Sequence, residues 1–256
     1  MQFVNQNVIE NLKFNNEVAE KHFLEILNSQ QTLNAINLVK EKMASNDPSH
    51  DFFHVLRVMN LALLILGKEF ANDHDIDVEV VLFSALFHDI ADFKYDFQSE
   101  KTSEELIKER LSDFFSLNHI SEEKIEKIIY IVSNISFRKE LEGKNLTLSK
   151  EFKIVRDADR LEAIGSIGVA RCFGYSSVSK TVFYDASVER IQKLTADIYN
   201  KQTKTKNTTA FNHFHEKVLL LKDRMLTETG KAMSESRHRF IVDFLGQFEA
   251  EMNFLK

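Results

Sequence analysis

The stretch Val80-Val81-Leu82-Phe83-Ser84-Ala85-Leu86-Phe87-His88-Asp89 is apolar through its first eight positions, Ser84 apart, and then ends on an imidazole and a carboxylate. Residues 78–91 read as a helix that is apolar nearly all round, and such a helix belongs at the centre of a fold. Burying an ionised Asp at its end is expensive unless the charge is paired or binds a metal. The rest of the chain is consistent with a helical setting. Its 256 residues include only 7 Gly and 1 Pro, where average usage would give about 31 of the two together. Sandwiches, barrels, propellers and glycine-rich dinucleotide folds need frequent turn-formers, so the composition excludes them and predicts an all-α protein.

Outward from the central stretch, apolar residues recur at helical spacing nearly everywhere. Helices are expected over 8–27, 33–43, 51–70, 102–115, 121–135, 152–173, 211–229 and 231–254. Pro48 breaks the chain before the helix that starts near Asp51. Thr102-Ser103-Glu104-Glu105 has the spacing of a capping box. Residues 174–184 read as a loop, Asp185 as the cap of the next helix, and Gly230 as a helix stop. No repeat or Ser/Pro-rich linker divides the chain, so one helical domain is expected over 31–256, with additional C-terminal helices and with residues 1–30 as an N-terminal helical extension.

The formal net charge is −6, which offers no global attraction for a polyanion and argues against nucleic acid as a partner. The apolar runs are too short to span a bilayer, and the N-terminal sequence lacks the order of a signal peptide, so no membrane is expected. Cys172 is the only cysteine and reads as a small buried hydrophobe in a reducing compartment, hence a cytoplasmic protein.

Two further islands of polar residues interrupt apolar patterns. In Arg156-Asp157-Ala158-Asp159-Arg160, four charges fall within five positions between Ile154, Val155 and Leu161, so some must point inward. His54 and Arg57 lie one turn apart beside an apolar stripe. His54, His88, Asp89 and an Asp near 159 together supply two imidazoles and two carboxylates. That set suits one divalent ion, manganese first, with cobalt, nickel, iron, zinc or magnesium also accommodated, and leaves about two coordination positions open. An open position is what metal-assisted hydrolysis requires.

The ordered segments SHDFFHVLRV (49–58), LFHDIADFKY (86–95), IVSNISFRKE (131–140), VRDADRLEAIGSIGVARCF (155–173) and HFHEKVLLLKDRMLTETGKAMSESRHRF (213–240) resemble the HD-domain metal-dependent phosphohydrolase superfamily, in its subgroup of bacterial and fungal nucleotide pyrophosphatase-like proteins. The resemblance covers roughly residues 33–252 and implies a single helical HD bundle. It implies His54, His88, Asp89 and Asp159 as metal ligands, with Asp159 preferred over Asp157 because of its Ala-Asp-x-Leu setting. Asp157 then orients a ligand from behind or pairs with a cation. Asp92 takes the place of the carboxylate that orients or deprotonates the attacking water.

A phosphate ester also needs cations. Lys94 is the expected catalytic cation, and Arg57, Arg138 and Arg160 are expected to bind substrate, with Tyr95 or Phe137 stacking on a base. His119 is the only histidine between Asp89 and Asp159, where the two-metal members of that superfamily carry extra histidines, so the resemblance implies one metal ion and no dioxygen chemistry. His213, His215 and His238 are assigned to packing, and TETGKAMSESRHRF to closing the domain. The implied reaction is metal-activated attack of water on a small phosphorylated metabolite, foremost a nucleoside triphosphate with release of pyrophosphate. A phosphomonoesterase at the same site, and a regulatory module that binds nucleotide or metal without turnover, are the alternatives. The chain is expected as a monomer or homodimer.

Overall fold

The computed structural model describes residues 3–12, 14, 17–70, 73, 75–90, 101–143 and 145–254. Among these there are no strands; the helices are α1 (Gln6–Glu10), α2 (Glu17–Leu27), α3 (Gln30–Lys42), α4 (Phe52–Ile65), α5 (Val78–Phe87), α6 (Ser103–Leu117), α7 (Glu122–Asn134), α8 (Phe137–Leu141), α9 (Lys150–Glu162), α10 (Gly165–Ser179), α11 (Ala196–Thr205), α12 (Ala210–Glu216) and α13 (Glu228–Met252). A π-turn over Leu66–Phe70 extends α4, and a 3₁₀ segment over Val218–Arg224 follows α12.

α5 is central, as its composition requires. Every residue from Val80 to Phe87 is buried, and α5 packs on α3, α4, α7 and α9. Phe83 and Phe87 meet Phe114 of α6 edge-on, with centroids 5.5 and 5.0 Å apart. Asp77 caps the helix by accepting from the Glu79 and Val80 amides. The capping box at Thr102 and Glu105 forms as its spacing predicts. α4 lies against both α5 and α9, so the helices bearing the candidate ligands are mutual neighbours. At the N-terminus, Asn5 and Phe3 bond to Asn60 of α4.

Several boundaries differ from the sequence reading. The helix expected over 8–27 is two, α1 and α2. The helix expected over 152–173 breaks between α9 and α10, where Gly165 adopts φ +80, a conformation that any side chain would strain. α10 then continues to Ser179, through the expected loop at 174–184. Asp185 closes a local turn on Ser187, and Thr195 caps α11 instead. The single helix expected over 211–229 is α12 followed by the 3₁₀ segment.

Gly230 is not a stop but a residue of the first turn of α13, which Thr227 caps. A Cβ on Gly230 would run into the Asp157 carboxylate and lie 2.7 Å from the Thr227 hydroxyl. Glycine is there for close approach, not for termination. Arg237 of the same helix donates to the Leu161 carbonyl at the end of α9. The segment TETGKAMSESRHRF thus fastens α13 to the helix that carries Asp159.

Candidate metal centre

His54 enters from the first turn of α4, whose N-cap Asp51 accepts from the His54 amide. His88 and Asp89 follow directly on α5, and Asp159 faces them from α9. His54 Nε2 and His88 Nε2 are 3.1 Å apart. Asp89 Oδ2 lies 3.2 Å from the first and 3.4 Å from the second. Asp159 Oδ1 is 3.8 Å from His88 Nε2. Ligand atoms bonded at about 2.1 Å to one ion are about 3.0 to 3.4 Å apart, so His54, His88 and Asp89 sit at coordination spacing, while Asp159, 3.8 Å from His88, stands outside that cluster.

What stands behind the imidazoles decides how they act. His88 Nδ1 lies 2.8 Å from the Ala85 carbonyl, which can only accept, so Nδ1 carries the hydrogen. His54 Nδ1 lies 2.9 Å from Glu162 Oε2, outside hydrogen-bond alignment but near enough for this acceptor-only carboxylate to favour the hydrogen on Nδ1 as well. Both Nε2 atoms therefore turn lone pairs toward Asp89 Oδ2, and three acceptors cluster with no fixed donor between them among the described residues. A cation satisfies such a set. Without one, protons do: burial lowers the pKa of His88, but the Asp89 and Asp159 charges and the Ala85 carbonyl raise it to about 9. Burial pushes Asp89 up, and the two histidines pull its carboxyl well below the ordinary carboxylate range.

Glu162 escaped the sequence reading. It is 2% exposed, and besides His54 it holds Arg57 Nε at 2.7 Å and Arg171 Nη1. Burial raises its pKa; His54, Arg171 and Arg57 lower it more, so it stays ionised. Asp157 plays a different part from the one expected. It is fully buried and accepts from the Leu226 and Thr227 amides and the Thr227 hydroxyl at 2.7 to 3.0 Å. Its bonds anchor the start of α13 and touch none of the four candidate ligands.

The centre opens on a cavity of about 170 Å³ lined by Arg138, Lys139, Arg160, Arg171, Lys217 and Asn200 among others. Arg138 and Arg160 are therefore on its wall, as expected, but each has a carboxylate: Arg138 meets Glu142 at 3.2 Å, and Arg160 pairs with Glu140. Arg57 instead borders a separate hollow beside α1 and α10. Phe137 lines the cavity. His50 also lines it, with Nδ1 2.7 Å from the Ser49 hydroxyl. Asp92, Lys94 and Tyr95 lie outside the described residues. Burial raises the Cys172 thiol to about 12, which leaves it unreactive.

Comparison with known proteins identifies the family. The HD domain family matches residues 51–164, a span that holds all four acceptors. Protein YpgQ of Bacillus subtilis is 31% identical over 214 residues, covering 84% of this chain and 90% of that one. The chain belongs to the HD-domain family. Among solved structures, an HD protein of this kind from Bacillus thuringiensis, described as an HD-superfamily hydrolase, superposes with a TM-score of 0.61 at 29% identity, covering 88% of this chain and 97% of that one. A Lactobacillus plantarum structure reaches 0.71 at 29% identity over 88% and 98%. YpgQ in complex with ADP reaches 0.60 at 27% identity over 87% and 100%. No helix among the described residues of this HD protein is long and apolar enough to cross a membrane.

Proposed function

We propose that this HD protein is a metal-dependent phosphohydrolase that cleaves a nucleoside triphosphate with release of pyrophosphate. The observation that carries this reading is the cluster of His54 Nε2, His88 Nε2 and Asp89 Oδ2, with Asp159 Oδ1 3.8 Å from His88, beside a cavity walled by cations. Two carboxylates and two neutral imidazoles carry a charge of −2, which one divalent ion neutralises; manganese is the proposed ion. When bound, the ion supplies Lewis-acid polarisation and lowers the pKa of water. Glu162 and the Ala85 carbonyl hold the imidazoles in the ligating tautomer. Arg160 Nη1 is buried without a partner among the described residues, a donor directed to a phosphoryl oxygen. Asp92 is proposed to orient the attacking water, and Lys94 to offset developing charge. That YpgQ was seen with ADP supports a nucleotide substrate.

The product decides between this and a phosphomonoesterase. Metal-stripped protein given back manganese should release pyrophosphate and a nucleoside monophosphate from triphosphates. Orthophosphate alone, or turnover that survives both chelation and the Asp89→Ala substitution, would overturn the proposal.

A further inference from the structure

Most cations on the cavity wall are already neutralised from behind. Glu140 serves Arg160, Glu162 serves Arg171, and Glu142 serves both Arg138 and Lys139. Lys217 differs. Its ammonium meets no carboxylate among the described residues; it sits 5.3 Å from the Phe137 ring centroid and 5.4 Å from that of Tyr199, and donates to the Tyr199 hydroxyl at 3.4 Å. The two rings meet edge-on with centroids 6.0 Å apart. Cation–π contacts hold an ammonium in place but leave its charge intact, so it remains available to an anion.

Its location says which anion. A second cavity of about 140 Å³, lined by Tyr175, Gln202, Thr208 and Thr209 among others, adjoins the first. The four ligand residues line only the first cavity, whereas Lys217 lines both. A molecule with its reacting phosphorus at the ligand cluster passes Lys217 on the way to the second cavity.

We infer that Lys217, seated between Phe137 and Tyr199, binds the phosphate adjoining the reacting one and so makes the site prefer a phosphoanhydride chain over a monoester. This rests on the proposed nucleotide substrate and adds the residue that reads phosphate-chain length. A monoester places its one phosphate at the ligand cluster and leaves Lys217 without a counter-charge. A triphosphate supplies it.

The test is equilibrium binding of fluorescent nucleoside triphosphate and monophosphate probes to manganese-loaded protein, with pyrophosphate release followed in parallel. Lys217→Met keeps the apolar stem between the rings, and Lys217→Arg keeps the charge; melting curves check that both fold. The wild type should bind the triphosphate probe more tightly. Lys217→Met should shrink that preference about tenfold, a loss of about 1.4 kcal/mol, and Lys217→Arg should retain most of it. An unchanged preference in a folded Lys217→Met, or no preference in the wild type, overturns the inference. If product appears while Lys217→Met keeps the preference, the hydrolase reading stands and the inference falls. If the preference depends on Lys217 but nothing is hydrolysed, the inference stands and the hydrolase reading falls.

Discussion

Glu162 meets one imidazole and two guanidinium groups at once, so its charge stands directly behind His54. Glu162→Gln should weaken metal affinity by about 10- to 100-fold, as loss of a group behind a metal ligand does, and metal titration with a fluorescent chelator competitor would measure it. Unchanged affinity would show that His54 needs no support. His88 gives a pH signature. Its pKa in the metal-free fold, about 9, stands above the ordinary 6.5, so its protonated form adds stability that is complete below pH 6.5 and is lost as pH climbs through about 9. Metal must displace that proton. Apparent affinity should therefore rise by up to about tenfold per pH unit between 6.5 and 9, with proton release visible by calorimetry in buffers of different ionisation enthalpy; a flat profile would contradict it. His88 and Asp89 are legible in the sequence because they end an apolar run where charge is costly. Glu162 is one helical turn beyond Asp159, and that spacing alone marks it. Arg171 and Lys217 come from distant helices, and no local pattern flags either.

At the scale of elements, α9 and α13 are locked through Asp157, Thr227 and Gly230. Asp157→Ala would leave two amides and a hydroxyl without their acceptor, at a cost of about 3 kcal/mol, and a melting temperature lower by roughly 6–10 °C. Gly230→Ala should cost about 1–3 kcal/mol through overlap with the same carboxylate. Both variants should still take up metal, because Asp157 touches none of the ligands; loss of the metal at full stability would place Asp157 in the centre instead. The inward-pointing charges of α9 are legible from the apolar residues around them, but their partners are not. Sequence spacing puts Asp157 two residues from Asp159 and so near the metal. The helix turns it roughly 200° away, toward the loop before α13. The break at Gly165 is signalled only by the glycines at 165 and 168 themselves, because helical periodicity runs through it without interruption.

Over the whole molecule, a net charge of −6 coexists with a cavity walled by arginine and lysine, because carboxylates stand behind most of those cations. Scarcity of glycine and proline was enough to exclude β architectures, and the ordered segments were enough to indicate the family. The cavity itself is assembled from α4, the end of α5, α6 to α11 and the 3₁₀ segment, a juxtaposition that only folding creates. His54, His88, Asp89 and Asp159 are proposed to hold one divalent ion on which phosphoanhydride cleavage depends. Titrating manganese into metal-stripped protein while following pyrophosphate release tests it most directly. Activity should rise from zero and saturate at one equivalent per chain, and should be abolished in His54→Ala and Asp159→Asn. Activity that is indifferent to stripping, or that needs two equivalents, would contradict it.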